Sequence, residues 1–328
     1  MKAKTHYQLK PSVDISKLPK VEGYDFEGKF DLEKFLKSYY HTGFQAKELA
    51  KAIEIVNMMI REKAKIFLSC TSNIISSGLR DIVKYLVKNN HISVLVTSAG
   101  GIEEDVIKTI APFRIGSFDA KGSVLADAGV SRIGNIYVTT EHYLHFERFI
   151  NTFLDRIYKI QKKNGPLSSS HLIYELGKEI SKLKNKEESV LYWAYKNKID
   201  VYCPCITDGS FGDLVYFFKK RRKDFMIDIA ADITKVVDFT LNSDKTAAIM
   251  LGGGIAKHYV LNANIFKDGL DYAVYITTAG FYDGSDSGGN QEEAISWNKI
   301  SANAPCAKVY AEATLVFPLL VAATFAKK

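Results

Sequence analysis

The 328-residue sequence is poor in cysteine and in proline. Its seven prolines form no proline-rich linker that would divide the chain into domains. Its cysteines include one Cys-Pro-Cys stretch but no second Cys or His pair at metal-ligand spacing. We therefore predict reduced thiols, and no metal site, at all four cysteines: Cys70, Cys203, Cys205 and Cys306.

Long apolar runs are also missing. The longest, residues 313–326, is too short to span a bilayer and contains Pro318, so we expect a buried terminal helix and no membrane segment. Residues 1–20 are polar and lysine-rich and lack the apolar core of a signal peptide. These two absences, together with the unpaired cysteines, predict a cytoplasmic protein.

Charge of one sign is only mildly in excess, because 44 basic and 37 acidic residues give a net charge of +7. Lysine and arginine cluster at residues 159–163, 178–186 and 219–223. No nucleic-acid motif accompanies these clusters, so solvated helix faces are the favoured interpretation and no nucleic-acid partner is predicted. A second interpretation is also kept open, in which these basic clusters attract an acidic protein partner.

Short β-branched runs, each ending in small polar residues and followed by a helical pattern, recur along the chain. Such alternation predicts an α/β fold with a Rossmann-like, doubly wound, mainly parallel sheet and helices on both faces. The runs are residues 65–68, 93–96, 201–203, 246–250, 272–276 and 308–310.

The chain begins differently. Residues 1–30 show no clear periodicity, and we predict an extended or partly disordered N-terminal arm. Helical periodicity starts after Asp31, a suitable cap, and resumes after a turn at Thr42-Gly43, which predicts an N-terminal helical extension. Residues 141–197 are also mostly helical in pattern. With no dividing linker, residues 31–328 are predicted to form one domain.

In an open parallel sheet, ligands bind beyond the carboxyl ends of the strands. The loops there are rich in small residues; residues 98–101 (SAGG) and 251–254 (LGGG) fit a phosphate-binding loop or a simple tight turn about equally well. Acids are placed among these loops. Each acid alone favours helix capping, but together they would hold a cation, and a polyamine fits this description. The acids are Glu103, Glu104, Asp208, Asp213, Asp283, Asp286 and Glu293.

The stretches 284–288 (GSDSG) and 293–300 (EAISWNKI) resemble the deoxyhypusine synthase family. The resemblance extends in the same order over nearly the whole chain. It includes residues 23–26 (GYDF), 42–46 (TGFQA), 71–78 (TSNIISSG), 99–105 (AGGIEED), 132–135 (RIGN), 207–210 (TDGS), 252–258 (GGGIAKH) and 308–320 (KVYAEATLVFPLL).

The resemblance implies a reaction and an assembly. NAD takes a hydride from spermidine, the oxidised polyamine is cleaved with release of 1,3-diaminopropane, and the butylamine group is held as an imine on an enzyme lysine. That group then passes to one lysine of the translation initiation factor 5A precursor, and the hydride reduces the final imine. The resemblance also implies a homotetramer built from dimers, with active sites at the dimer interface and an N-terminal segment that can cover a neighbour's site.

The resemblance also implies residue roles. Lys299 matches the imine-forming lysine, and His258 matches an acid/base group. Without the motif, Lys299 would be interpreted as an ordinary exposed lysine and His258 as a structural histidine. Asp213, Asp286 and Glu293 match the acids that hold spermidine's ammonium groups, and Trp297 lines the pocket. The cofactor positions are Ser72, Asn73, Ser76, Ser98, Ala99, Gly100, Glu104, Asp208, Gly253, Thr278, Ala279, Asp283, Ser285, Glu312 and Ala313.

Three departures from the family pattern stand near these positions: Glu312 for a common Asp, Asn298 for a common Gly, and Tyr259 for a second His. None removes a reacting group. Two alternatives stay open at this stage. The first is a homologous transferase that makes homospermidine with putrescine as acceptor. The second is a non-catalytic regulatory subunit, against which the intact Lys299 argues.

Overall fold

The structure is a computed structural model that describes residues 12–282 and 284–326. Within the predicted arm, residues 12–30 form no helix or strand and are mostly exposed. The ring of Tyr24 nevertheless packs edge-on against Phe26 and Phe35, at centroid distances of 4.9 and 5.6 Å. This end of the arm therefore lies against the first helix, whereas residues 1–11 fall outside the described part.

The predicted helical extension is confirmed. The side chain of Asp31 accepts a hydrogen bond from the Lys34 backbone N–H at 3.0 Å and caps helix α1 (Leu32–Thr42). Gly43 follows with a φ of 89°, a conformation that glycine adopts without steric cost, and the chain turns into helix α2 (Phe44–Arg61).

Strands and helices alternate through the rest of the chain. The strands are β1 (Lys65–Cys70), β2 (Val94–Thr97), β3 (Arg114–Ile115), β4 (Val130–Ile133), β5 (Ile136–Thr139), β6 (Leu167–Ser168), β7 (Asp200–Tyr202), β8 (Ile227–Asp228), β9 (Thr246–Leu251), β10 (Tyr272–Thr277) and β11 (Cys306–Tyr310). The helices are α3 (Ser72–Ser76), α4 (Leu79–Lys88), α5 (Ala99–Ile110), α6 (Gly122–Asp127), α7 (Thr140–Asn164), α8 (Ser169–Ile180), α9 (Val190–Asn197), α10 (Ser210–Arg221), α11 (Ala230–Leu241), α12 (Gly254–Ala263), α13 (Gln291–Ser296) and α14 (Ala313–Ala323).

The six predicted strands form one sheet in the order β11-β10-β9-β1-β2-β7, and every neighbouring pair is parallel. Renumbered by their order along the chain, these strands lie in the order 6-5-4-1-2-3, which is that of a dinucleotide-binding Rossmann sheet. The strand order reverses between β1 and β9. This switch point is where a doubly wound sheet opens a crevice for a ligand.

Helices cover both faces of the sheet, as predicted. Ile66, Leu68 and Cys70 of β1 join a core built with α2, α4, α5 and α14, while Phe67 points to a second core. That second core is built with α11, α12 and α13. The alternation follows from the two-residue period of a strand, which sends neighbouring side chains to opposite faces.

Two small sheets were not predicted. Strands β3, β5 and β4 form an antiparallel sheet, and β6 pairs with β8 in parallel. These strands are two to four residues long and largely half-exposed, so they carry no continuous apolar run. The predicted terminal helix is present as α14, with Pro318 inside it. No helix of the described residues is long and apolar enough to cross a membrane.

Candidate active site

The loops after β1 and β9 meet at the switch point of the sheet. Gly252 adopts a φ of 80°, and a Cβ added there would lie 3.1 Å from Cγ2 of Thr71, so the two loops are in contact. The Gly252 backbone N–H donates to the Ile276 carbonyl at 2.8 Å, which fixes this turn against β10. The crevice expected from the strand order is therefore lined by closely packed backbone.

Helices α3 and α5 line one side of this crevice. A Cβ on Gly100 would lie 2.8 Å from Cβ of Ser72, so glycine lets the two helices approach each other. One turn further along α5, the Ser76 hydroxyl donates to the carboxylate of Glu104. Glu104 is only 8% exposed, and burial raises its pKa to about 7. A buried carboxyl group thus faces α3 at the edge where the ligand is expected.

Glu103, next to it, orients the loop after β7. Its carboxylate accepts a hydrogen bond from the Phe211 backbone N–H at 2.8 Å and so binds the first turn of α10. Burial raises the pKa of Glu103, and the nearby carboxylates of Asp213 and Asp208 raise it further. Glu103 therefore caps the start of α10, which agrees with the capping interpretation of a single acid. Asp208 and Asp213 lie beside it.

On the other side of the crevice, the start of α12 contacts a single 3-10 turn, Asp286–Gly288. A Cβ on Gly253 would lie 2.5 Å from Cα of Ser287, and the Ser287 hydroxyl accepts from the Gly254 N–H at 2.9 Å. The turn that carries Asp286 is thereby fixed against the glycine loop after β9.

Lys299 and His258 lie within hydrogen-bonding distance of each other. Lys299 follows α13, and its Nζ is 3.0 Å from Nε2 of His258 on α12. The other ring nitrogen of His258, Nδ1, is 3.1 Å from the Asn262 amide nitrogen one turn along the same helix. Asp286 Oδ1 lies 4.0 Å from His258 Nε2. A half-buried amine is thus paired with an imidazole that can exchange a proton with it.

The surroundings of this pair are acidic and aromatic. Asp286, Glu293, Trp297 and Lys299 line one small depression, and Lys299 Nζ lies 5.9 Å from the centroid of the Trp297 ring. Trp297 itself is 65% exposed, so the depression opens at the surface of the chain. Carboxylates at its rim would attract a cationic molecule to the amine.

Two lysines, Lys257 and the half-buried Lys308, hold the turn beneath the depression, and neither had been predicted as a site residue. Lys257, 2% exposed, donates to the Asp286 carbonyl and lies 3.6 Å from its Oδ2. Lys308 of β11 donates to the Gly288 carbonyl at 2.6 Å. Burial lowers the pKa of both lysines. In sequence, each is a single lysine that also fits an ordinary surface position.

The predicted site residues fall into two groups within one chain. Asp213 follows β7, whereas Lys299 lies between β10 and β11. In the sheet, β7 and β10 are four strand spacings apart, or about 19 Å. The acids therefore do not converge on one pocket of a single chain, as the sequence pattern had suggested. Ser72, Asn73, Ser76, Ser98, Ala99, Gly100, Glu104, Asp208 and Asp213 belong to the first group; His258, Asp286, Glu293, Trp297 and Lys299 form the second.

The remaining cofactor positions lie at the ends of β9, β10 and β11. Thr278 and Ala279 follow β10 directly, and Gly253 follows β9. Glu312 caps α14 by accepting from the Thr314 N–H at 2.8 Å, and Ala313 is buried behind it. Ser285 precedes the 3-10 turn, and Asp283 lies outside the described residues.

Comparison with known proteins assigns this architecture to a family. The family model for deoxyhypusine synthase matches residues 34–324. The chain belongs to the deoxyhypusine synthase family. The resemblance noted in the sequence is thus confirmed over residues 34–324.

Individual members of the family align with nearly the full chain. A protein of Methanocaldococcus jannaschii named "Probable deoxyhypusine synthase" is 46% identical, with 95% of this chain and 98% of that protein covered. A protein of Musa acuminata named "Deoxyhypusine synthase" is 45% identical, with 98% and 92% covered. A crystal structure from Entamoeba histolytica, named for the same family, superposes with a TM-score of 0.67 at 29% identity, with 93% and 97% covered.

The structure also accounts for two departures from the family pattern. Asn298 adopts a φ of 54°, in the left-handed region that glycine enters most easily and that asparagine tolerates better than most residues. Tyr259 turns away from the His258 pair, and its hydroxyl donates to the Asp232 carbonyl at 3.3 Å. With both residues in place, Lys299 Nζ and His258 Nε2 lie 3.0 Å apart.

Proposed function

We propose that this protein transfers the aminobutyl group of spermidine to a specific lysine of the translation initiation factor 5A precursor, using NAD, as the first step of hypusine formation in the cytoplasm. The observation that carries the proposal is the 3.0 Å contact between Lys299 Nζ and His258 Nε2, beside two carboxylates. Membership of the family supplies the reaction, and this contact supplies the groups that it needs.

Lys299 would act as the nucleophile, and it must lose a proton to do so. His258 lies where it can take that proton and return it to the departing amine, because its Nε2 is in direct contact with Nζ. The neutral Lys299 amine would attack the oxidised carbon of the polyamine, form an imine with the four-carbon fragment and release 1,3-diaminopropane. The acceptor lysine then displaces Lys299 from the same carbon.

Asp286 and Glu293 would hold the ammonium groups of spermidine at the rim of this depression, and Trp297 would cover its methylene chain. Asp213 cannot join them within one chain, because about 19 Å separate the two strands concerned. We therefore propose that Asp213 of one subunit faces Lys299 of another in a homotetramer. The exposed aromatic side chains Tyr216 and Phe217, one turn after Asp213, support a contact surface there.

The crevice at the switch point would hold NAD. Its residues fit a dinucleotide: the loops after β1 and β9 meet at the switch point, and buried Glu104 presents a carboxyl group to accept hydrogen bonds from a ribose. When bound there, NAD supplies a hydride acceptor for spermidine and later a hydride donor for the final imine. The role of the chain is to orient the dinucleotide and exclude water.

The direct test is incubation of the purified protein with NAD, spermidine labelled in its butylamine part, and the purified factor. The proposal expects label on the factor and NAD-dependent release of 1,3-diaminopropane. A parallel reaction with putrescine instead of the factor tests the alternative acceptor. Label that appears only in homospermidine, or no label in any product, would overturn the proposal.

A further inference from the structure

Helix α5 packs against the short helix α3 along the whole length of α3. The contacts come from Gly100, Glu104 and Lys108, which are spaced four residues apart and so share one face of α5. Gly100 touches Ser72, and Glu104 accepts from Ser76, as described above. Lys108 contacts the far end of α3 and is the one member of this face that no part of the proposed mechanism uses.

Lys108 satisfies three backbone carbonyl groups at once. Its Nζ donates to Ile75 O at 2.8 Å, Ser76 O at 3.0 Å and Ser77 O at 2.8 Å. An ammonium group has three donors, so all three are used. These carbonyls belong to the last residues of α3 and its cap, where a helix leaves acceptors without partners and carries partial negative charge. A five-residue helix cannot hold its own shape in water, so this contact stabilises it.

The site around Lys108 is partly closed to water. Burial lowers the pKa of Lys108 to about 8. The charged groups that face it are Arg80 and Asp81 of α4 and Glu104 and Asp105 of α5. Arg80 donates to Asp105 at 2.7 Å in a buried pair, so its guanidinium is already engaged away from these α3 carbonyls. Replacement of the ammonium would remove one donor from each of the three carbonyl groups, and Ser77 O would keep only the longer contact from the Arg80 backbone N–H at 3.4 Å.

We propose that Lys108 is a positioning residue for the cofactor: by binding the end of α3 it holds Ser72, Asn73 and Ser76 in the geometry that binds NAD. The inference rests on the proposed NAD site at this edge and adds a requirement to it. Lys108 does not touch the dinucleotide; it acts through the backbone of α3. Its loss therefore weakens NAD binding while the Lys299–His258 pair, on the other side of the sheet, keeps its geometry.

The test compares Lys108→Met with Lys219→Met in the full-length protein. Lys219 is a matched control, since its Nζ also binds carbonyl groups at a helix end, Phe225 O at 2.5 Å and Lys223 O at 3.4 Å, but at the far end of α10. NAD affinity is measured by calorimetry, spermidine KM by steady-state assay, and amide hydrogen exchange by mass spectrometry. Lys108→Gln, which keeps an amide donor, serves as a milder variant in case Lys108→Met does not fold.

The proposal expects Lys108→Met to raise the Kd for NAD about tenfold to a hundredfold, because the loss of one charge-assisted hydrogen-bonding group has effects of that size. Spermidine KM at saturating NAD should change less than about threefold, exchange should rise in residues 73–77, and Lys108→Gln should lie between. Lys219→Met should leave all three unchanged.

Two outcomes would overturn the inference: unchanged exchange at residues 73–77, or an NAD affinity of Lys108→Met equal to that of the unmodified protein. Failure of the unmodified protein to bind NAD would instead refute the proposed cofactor site. The exchange measurement needs no NAD and reports on the contact alone. The two failures are therefore distinguishable.

Discussion

Replacement of Glu104 by Gln should stabilise the protein and weaken its cofactor binding at the same time. Glu104 is 8% exposed, and burial raises its pKa from 4.5 to about 7. The Ser76 hydroxyl that donates to its carboxylate only partly offsets that cost. Gln keeps the shape and an acceptor for Ser76 but never ionises, so it resembles the neutral acid.

The magnitude follows from linkage. Because the folded-state pKa lies above the unfolded one, the folded protein binds more protons between pH 4.5 and pH 7, and Glu104 contributes stability that is lost as pH rises through that window. A shift of this size corresponds to on the order of 3 kcal/mol at about 1.4 kcal/mol per pKa unit. The stability difference between Glu104→Gln and the unmodified protein should therefore grow from near zero at pH 4 to its full value at pH 8.

The assay is urea denaturation at pH 4, 6 and 8, with NAD titrations at pH 8. Glu54→Gln, which changes an exposed acid on α2, is the matched control and should alter neither quantity. An amide cannot accept hydrogen bonds at two oxygens as a carboxylate can, so NAD affinity of Glu104→Gln should fall while stability rises. A variant that is equally or less stable than the unmodified protein at pH 8, or whose advantage does not depend on pH, would refute this reasoning.

Further predictions concern the assembly and the core. Asp213→Asn and Lys299→Arg should each abolish transfer alone. Subunits of the two variants mixed by co-expression should recover activity, because some sites of the proposed homotetramer then combine an intact Asp213 with an intact Lys299. Mixed assemblies without activity would contradict a shared site. Asp105→Ala should lower the free energy of unfolding by about 3–5 kcal/mol, measured by denaturation, since the buried Asp105 binds Arg80 at 2.7 Å and Ser189 at 2.6 Å and its loss leaves a buried charge unpaired. A loss below about 1 kcal/mol would show that Arg80 finds another partner.

The sheet could be predicted from sequence because its strands are buried on both faces. The runs predicted at residues 65–68 and 246–250 lead into small residues, and they became the central strands β1 and β9 with their loops in contact. The short strands β3 and β8 could not be predicted, because two residues carry no periodicity. The sequence indicates where each strand ends, but it does not give the order of the strands across the sheet or the distances between them.

The same limit explains what was missed at the site. The motif around Lys299 indicated that residue as the candidate nucleophile, but the partition of the acids into two groups depends on strand order, which the sequence alone did not supply. Lys108 and Lys257 read as ordinary polar positions on their helices. Their partners are backbone carbonyls of distant segments, Ser77 O and Asp286 O, which carry no side-chain signature. Contacts of this kind become visible only in the folded structure.

The central claim is that the amine of Lys299 carries the butylamine group during transfer. The measurement that tests it most directly is borohydride trapping: the protein is incubated with NAD and spermidine, reduced, digested and mapped by mass spectrometry, with Lys299→Arg as the control. Lys299 should carry a reduced butylamine adduct, at most one per subunit, that depends on NAD and is absent from the variant. An adduct on another lysine, or one that persists in Lys299→Arg, would contradict it.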